Sequence, residues 1–461
     1  MKVKRIEHMK SVTIVGGGLV GGLLAALMSQ RGYRVAVYER RPDIRKAEIS
    51  AGKSINLALS DRGWKALRLI GAEDEVRNIS TPMYGRKMHS VEGEVTYQAY
   101  GLEGQAIYSV SRGGLNAKML EIADQSGNVE CHFNEKCLNV DFDTNELTFE
   151  NTQTGKITHV KSDLIFGSDG AFSAVRAAMQ KTDRFNYQQE YLPDGYREIL
   201  LPANEDGSHK LDPNALHIWP RGRYMLIALA NQDGSFTCTL FMPFDGNPSF
   251  DSLQTPADVN RFFAEIFPDF YAMMPDVGDD YFRHPLSSLA IIRCYPWVKK
   301  RVALIGDSAH AIVPFYGQGM NSGFEDCSVL AELMDKHGDN WDKLLQEYQV
   351  LRKPDGDAIA QLAVDNYYVM RDYVADEDFL LRKKIEKKIF EKHPDKWMPL
   401  YSQVTFSHIR YSEAYETGQM QDRIMDKVME RPDIHENWDS NEIEQLVLSL
   451  WEKQQTAAHA E

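Results

Sequence analysis

The sequence predicts an α/β fold with three parts: a discontinuous Rossmann-like domain, an antiparallel-sheet domain and a C-terminal helical region. Three observations predict it. Near residues 16, 169 and 306 a short apolar strand runs into a glycine-bearing turn and on into a helix. From about 185 to 285 apolar residues alternate with period two, as in an antiparallel sheet. Beyond about residue 355 the apolar spacing becomes helical.

The first segment begins with the strand Val12-Thr13-Ile14-Val15, followed by Gly16-Gly17-Gly18-Leu19-Val20-Gly21 and a helical run to about Met28. A second strand, Val35 to Tyr38, ends in Glu39. Strand, Gly turn, helix, strand and acid in that order form a dinucleotide-binding fingerprint. Gly16 makes the tight turn, Gly18 admits a pyrophosphate, Gly21 permits close helix packing and Glu39 accepts a ribose hydroxyl. Residues 12 to 28 carry no charge, but the run is short for a membrane span and crowded with glycine.

The second segment, Leu164 to Phe166 with Gly167-Ser168-Asp169-Gly170, again runs a buried strand into a Gly-flanked acid. Alone it reads equally well as an Asp-Gly turn capping a helix. The third, Gly306 to Asn321, follows a strand ending at Leu304 and Ile305. Asp307 there suits a polyol, and Gly317 and Gly319 leave room for a flat ring. Ser322-x-x-Glu325 is expected to open the next helix as a capping box. A helix N-terminus behind that ring favours negative charge on it.

These boundaries divide the chain into a nucleotide-binding domain (1–75, 101–184 and 286–355), a substrate domain (76–100 and 185–285) and a helical region (356–461). The substrate domain is expected to contain the strands Tyr224 to Leu229 and Phe236 to Phe241, joined by Met83 to Ala99. In the helical region Ile443, Leu446, Val447 and Leu450 share one face, with Asp439-x-x-Glu442 before them as a cap. Lys383, Lys384, Lys387 and Lys388 read as a solvated basic face paired with Glu377 and Glu386.

At 461 residues the chain exceeds one ordinary core. A net charge of −15 gives no support to nucleic-acid binding and argues against an anionic membrane. The five cysteines, Cys131, Cys137, Cys238, Cys294 and Cys327, show no C-x-x-C and suit a reducing cytoplasm. The histidines show no metal-ligand spacing. No G-x-S-x-G elbow appears either.

The three turns, in this order, resemble those of the single-component flavin aromatic hydroxylases, whose fold is like that of p-hydroxybenzoate hydroxylase. Over nearly the whole chain the resemblance narrows to the kynurenine 3-monooxygenase family. It is carried by Ser54 to Ser60 (SINLALS), Leu216-His217-Ile218-Trp219-Pro220, Pro314 to Asn321 (PFYGQGMN) and Tyr401 to Ser407 (YSQVTFS). Tyr316 departs from the His or Phe expected there. Eukaryotic relatives are membrane-anchored near the C-terminus. Here no run from 420 to 461 approaches the apolar length of a span, so a soluble, bacterial, cytoplasmic form is expected, with no membrane partner.

The resemblance implies FAD as cofactor, with NADPH, O2 and L-kynurenine as its small-molecule partners. It implies ring hydroxylation through a hydroperoxide at flavin C4a, which needs a dry pocket. FAD would be held by Gly16, Gly18, Leu19, Gly21, Glu39, Arg40, Asn56, Leu57, Arg112, Asp169, Gly170, Gly306, Asp307, Pro314, Gly317, Gly319, Met320 and Asn321. Toward NADPH, Arg40 and Arg41 read better as exposed turn residues. Arg86 would grip the substrate carboxylate, with Tyr100 and Asn366 as hydrogen-bonding companions and Tyr401 at the far end. Ile107, Leu216, Ile218, Ile227, Leu229, Phe241, Pro314, Phe315, Tyr316 and Met370 would line the pocket. His310 is read as structural, because an arylamine ring needs no phenol deprotonation. The alternatives are a hydroxylase of another anthranilate-like or phenolic acid, and a flavin-binding regulator without turnover.

Overall fold

The computed structural model describes residues 10–46, 56–370 and 376–458. Ser54 and Ile55 of the SINLALS motif and the last three residues lie outside them.

Short apolar runs make strands that can be buried on both faces, and they assemble side by side. The order across the six-stranded sheet is Val298–Lys299, Val302–Leu304, Leu164–Gly167, Ser11–Val15, Arg34–Glu39 and Val129–Phe133. All neighbours are parallel except the first pair. Thus three turns up to 290 residues apart in sequence leave the same end of three adjacent strands. Helices Leu19–Gln30, Arg112–Gln125 and Gly319–His337 pack together against the sheet. The three-stranded sheet of Glu135–Asp141, Glu146–Asn151 and Ile157–Lys161 supplies more of that core, with Phe149 stacked 4.0 Å from Tyr38.

The second large sheet has seven strands. Their order is Ser287–Tyr295, Asn186–Leu201, Phe236–Pro243, Tyr224–Ala230, Ala215–Arg221, Gly85–His89 and Val95–Ala99. Gly85–His89 runs parallel to Ala215–Arg221; every other pairing is antiparallel. Period-two alternation gives this sheet two unlike faces. On one, Trp219, Leu226, Ala228, Cys238 and Leu240 pack against the Phe-rich helices of 256–281. On the other lie Arg86, Met88, Leu216, Ile218, Ile227 and Phe241, and the apolar ones among them pack with residues 313–316 and 358–370.

A polar staple holds the parallel pair in register. His89 Nε2 lies 2.9 Å from His217 Nδ1, and His89 Nδ1 lies 3.0 Å from Asp269. The Trp219 indole donates to the same Asp269 oxygen at 2.7 Å, and His217 Nε2 faces the Asp212 carbonyl.

The helix Trp341–Tyr368 runs unbroken through residue 355, and Glu377–Lys392, Tyr411–Met429 and Asn441–Ala458 pack around Trp397 and Trp451. Ile443 and Val447 are buried as their spacing predicts. Three local expectations are corrected. The helix after the third turn starts at Gly319, so Ser322 and Glu325 are buried inside it rather than forming a cap. The last helix is capped by Ser440, whose Oγ accepts from Ile443 N, not by Asp439. Lys383 pairs with Glu386, but Lys387 pairs with Glu391 and Lys388 donates to the Asp439 carbonyl; none of these three meets Glu377. Among the described residues no helix is long and apolar enough to cross a membrane.

Candidate functional site

The carboxyl ends of strands Ser11–Val15, Leu164–Gly167 and Val302–Leu304 form one crevice, where such sheets bind ligands. Gly16 has φ +106°, and a Cβ there would meet the Ser168 carbonyl oxygen at 2.5 Å. A Cβ on Gly21 would meet the Gly16 oxygen at 2.0 Å. Both are required by the protein's own packing. Gly18 is different: its φ is −77° and no atom lies within 4 Å of a Cβ built there. Neither conformation nor protein contact calls for glycine, and the backbone there is open to an approaching group. Gly319 likewise has only Ile312 at 3.7 Å.

Glu39 is buried, and Gly17 N donates to its Oε2 at 2.9 Å while Arg41 Nε donates to Oε1 at 2.8 Å. Burial alone would raise its pKa; the Arg41 hydrogen bonds and charge, with the Gly17 amide, bring it below the ordinary value. Arg41 is thus spent on Glu39, while Arg40 is exposed. Asp169 accepts from Ser173 Oγ at 2.5 Å, Ala174 N at 2.6 Å and Ser308 Oγ at 3.2 Å. The turn therefore does cap its helix, and burial still holds the Asp169 pKa above normal. Gly170, with φ +85°, donates its N–H to Ser308 Oγ and so joins the second turn to the third.

In the third turn Gly306 has φ +61° and Asp307 opens a short helix to His310. Among the described residues neither the Asp307 carboxylate nor the exposed Arg112 guanidinium has a hydrogen-bond or ion-pair partner. Pro314 is exposed, and Gly317, left-handed at φ +67°, ends its 3-10 turn. The buried Asn321 amide donates to the carbonyls of Ala58 and Gly317, both at 2.8 Å, and accepts from Ser60 N at 2.9 Å. Asn56 is similarly committed to Ser109, Ala230 and Asn231. These two asparagines fix the cradle's walls by protein contacts. Leu19 and Leu57 are half-buried beside it, and Met320 is buried in the core. The crevice fits a flavin dinucleotide: an unpartnered acid for its polyol, open glycines for its pyrophosphate and ring, and the amino end of a 19-residue helix behind them.

Across the crevice lies the second half of the site. Leu216, Ile227 and Tyr401 join two buried clusters. One holds Tyr100, Ile107 and Leu229; the other holds Ile218, Phe241, Phe315, Tyr316 and Met370. Tyr401 stacks between Tyr100 and Tyr316, at 5.4 and 5.7 Å between ring centroids. The Arg86 guanidinium lies 4.8 Å from the Tyr401 ring and 5.2 Å from that of Tyr100. Its Nε and the Tyr100 hydroxyl are enclosed without a hydrogen-bond partner, and among the described residues Arg86 has no ion pair. Burial alone would lower the Arg86 pKa, but the Tyr401 and Tyr100 hydroxyls reverse the shift. It stays a cation in a pocket of raised tyrosine pKa values. Asn366 is not brought to Arg86 by a hydrogen bond; its amide donates to the Phe315 carbonyl at 2.6 Å and so holds the third turn.

His310 is buried, and its Nε2 lies 2.6 Å from the fully buried Asp326. Sequence reasoning missed what Asp326 belongs to. Arg62, Glu325, Asp326, Arg352 and Asp355 form one buried charge cluster beneath the third turn. The only signal was a pair of acids in an otherwise apolar helix start.

A discontinuous parallel sheet with these three turns, facing an aromatic pocket with an unpaired cation, defines a FAD-dependent aromatic monooxygenase. The "FAD binding domain" family model matches residues 9–221 and 282–363. The kynurenine 3-monooxygenase of Christiangramia forsetii is 52% identical over 97% of this chain and 100% of its own. That of Flavobacterium johnsoniae is 50% identical (96% and 99%), and that of Dictyostelium discoideum 43% (92% and 94%). Among solved structures, 2-methyl-3-hydroxypyridine-5-carboxylic acid oxygenase superposes with a TM-score of 0.66 at 19% identity, covering 80% of this chain and 94% of that one. Pseudomonas aeruginosa PqsL in complex with 2-aminobenzoylacetate gives 0.64 at 19% identity, covering 79% and 97%. The chain belongs to the kynurenine 3-monooxygenase family.

Proposed function

We propose that the protein hydroxylates L-kynurenine to 3-hydroxykynurenine, using FAD, NADPH and O2, in the cytoplasm. The observation that carries this is the Arg86 guanidinium, with its Nε enclosed and no ion pair among the described residues, lying between the rings of Tyr401 and Tyr100. An amino acid with an aromatic ring supplies what the pocket lacks. Its carboxylate takes the Arg86 fork, and the Tyr100 hydroxyl donates to it. The ring lies among Leu216, Ile227, Phe241 and Phe315, which exclude water. Gly319 leaves the floor open, so that FAD, when bound, supplies oxygen activation at the ring's edge. Gly16, Gly18, Gly21, Glu39, Asp169 and Asp307 hold that cofactor. No side chain acts as base: His310 stays with Asp326, and the substrate's own amino group activates the ring.

Five free thiols suit a reducing compartment; burial pushes those of Cys131, Cys137 and Cys294 up to about 12. The parallel-sheet layer would serve as the FAD domain, and the seven-stranded sheet as the substrate domain. The test is a purified, yellow protein whose NADPH oxidation accelerates with kynurenine and matches the hydroxylated product by mass spectrometry. Acceleration by another aromatic acid and not by kynurenine would overturn the substrate; no acceleration by any would leave a flavin-binding protein without this turnover.

A further inference from the structure

We propose that Arg62 is a positioning residue for this reaction: it fixes the helix bearing Tyr401 to the scaffold that carries the flavin turns. The inference rests on the kynurenine reading of the pocket. Tyr401 lies on the short helix Leu400–Thr405, whose last carbonyls have no partner within so short a helix. Arg62 reaches them from the opposite layer. Its Nε donates to the Val404 carbonyl at 2.8 Å and its second terminal nitrogen to the Gln403 carbonyl at 3.3 Å. The same nitrogen donates to the Ile409 carbonyl, and the guanidinium lies 3.9 Å over the Tyr411 ring. A cation at a helix's carboxyl end is the favourable arrangement.

The other side of Arg62 leads to the flavin crevice. Its remaining nitrogen donates to Glu325 Oε1, and Glu325 Oε2 accepts from Arg352 at 2.7 Å. Arg352 Nε donates to Asp326 Oδ1 at 2.7 Å, and Asp326 Oδ2 accepts from Gly306 N at 2.9 Å. One continuous path of charged hydrogen bonds therefore joins the turn holding Asp307 to the helix holding Tyr401. Arg62, Arg352 and Arg410 balance the charges of Glu325, Asp326 and Asp355, so the path is held without a buried excess. Arg62 touches neither pocket itself; it sets where one wall stands relative to the other.

The test uses FAD-loaded R62M and E325Q, with KM and kcat for kynurenine, the fraction of NADPH released as hydrogen peroxide, the FAD Kd and the Tm. The expected result is a KM raised about tenfold or more and greater peroxide release. The FAD Kd stays within about threefold of wild type, and R62K recovers part of the KM. Unchanged KM in both variants overturns the proposal. So does a loss of FAD affinity parallel to that of substrate, which would make the cluster a general folding element. Where R62M does not fold, the nearly isosteric E325Q decides; failure of both to bind FAD counts against the proposal in the same way. Wild-type protein that ignores kynurenine removes the substrate reading instead, and faster amide exchange over 400–409 in R62M then tests the Arg62 contact alone.

Discussion

Two arginine sites in this molecule are built on opposite plans. Arg352, almost wholly enclosed, meets Glu325, Asp326 and Asp355 and has every donor direction answered. Arg86 is set between two tyrosine rings with an enclosed Nε and, among the described residues, no ion pair. Desolvating a cation costs several kcal/mol; carboxylates offset that cost at the first site, and tyrosine hydroxyls alone do so at the second. The difference separates a residue that holds the fold from one kept for a ligand.

The comparison breaks first on stability. Arg352→Met leaves three carboxylates partly uncompensated and should cost about 3–5 kcal/mol, read as a large fall in Tm. Arg86→Met should leave Tm unchanged or raised, and instead lower kcat/KM for kynurenine by about 3 kcal/mol, roughly a hundredfold. Comparable Tm losses in the two variants would erase the distinction.

A third expectation concerns pH. Burial first, and His89 with Lys87 after it, hold His217 down at about 4, from an ordinary 6.5, with the Asp212 carbonyl opposing. The folded protein therefore refuses a proton that the unfolded chain accepts. Stability is complete above 6.5 and falls as pH drops from 6.5 toward 4, by on the order of 3 kcal/mol. Asp269, beside His89, adds its own loss at still lower pH, because its pKa lies below normal. Denaturant midpoints across this range check it, and His217→Gln should flatten the upper part of the curve.

The smallest effects sharpen the ligand side. Gly18→Ala should alter apoprotein stability by no more than about 1 kcal/mol yet weaken FAD binding about tenfold. Equal FAD affinity, measured by flavin fluorescence, would mean the open space at Gly18 has no occupant. Tyr100→Phe should lose only about 1 kcal/mol in kcat/KM, the worth of one hydrogen bond.

The flavin cradle was legible because glycine at a strand end is a local signal with few causes. Gly16, Gly18 and Gly21 could be assigned different duties from spacing alone, and the structure separates those duties by what a Cβ would meet. The pocket was legible only through resemblance. Leu216, Ile227 and Phe241 are ordinary strand residues until the sheet's face is known. Local capping rules failed at Ser322 and Glu325 because a tertiary partner, Arg352, claims Glu325 from another helix. The cluster around Arg62 left almost no trace, since its members are spread over about 300 residues and each resembles a surface charge. Likewise, nothing local announced that Gly85–His89 would join the sheet in parallel.

The central claim is that Arg86 is held without an anion for the substrate's carboxylate. A double-mutant cycle tests it most directly: wild type and Arg86→Met, each with kynurenine and with its decarboxylated analogue. The predicted result is a coupling of about 2 kcal/mol or more, with the analogue losing almost nothing further in the variant. Independent, additive losses would show that Arg86 and the carboxylate do not meet.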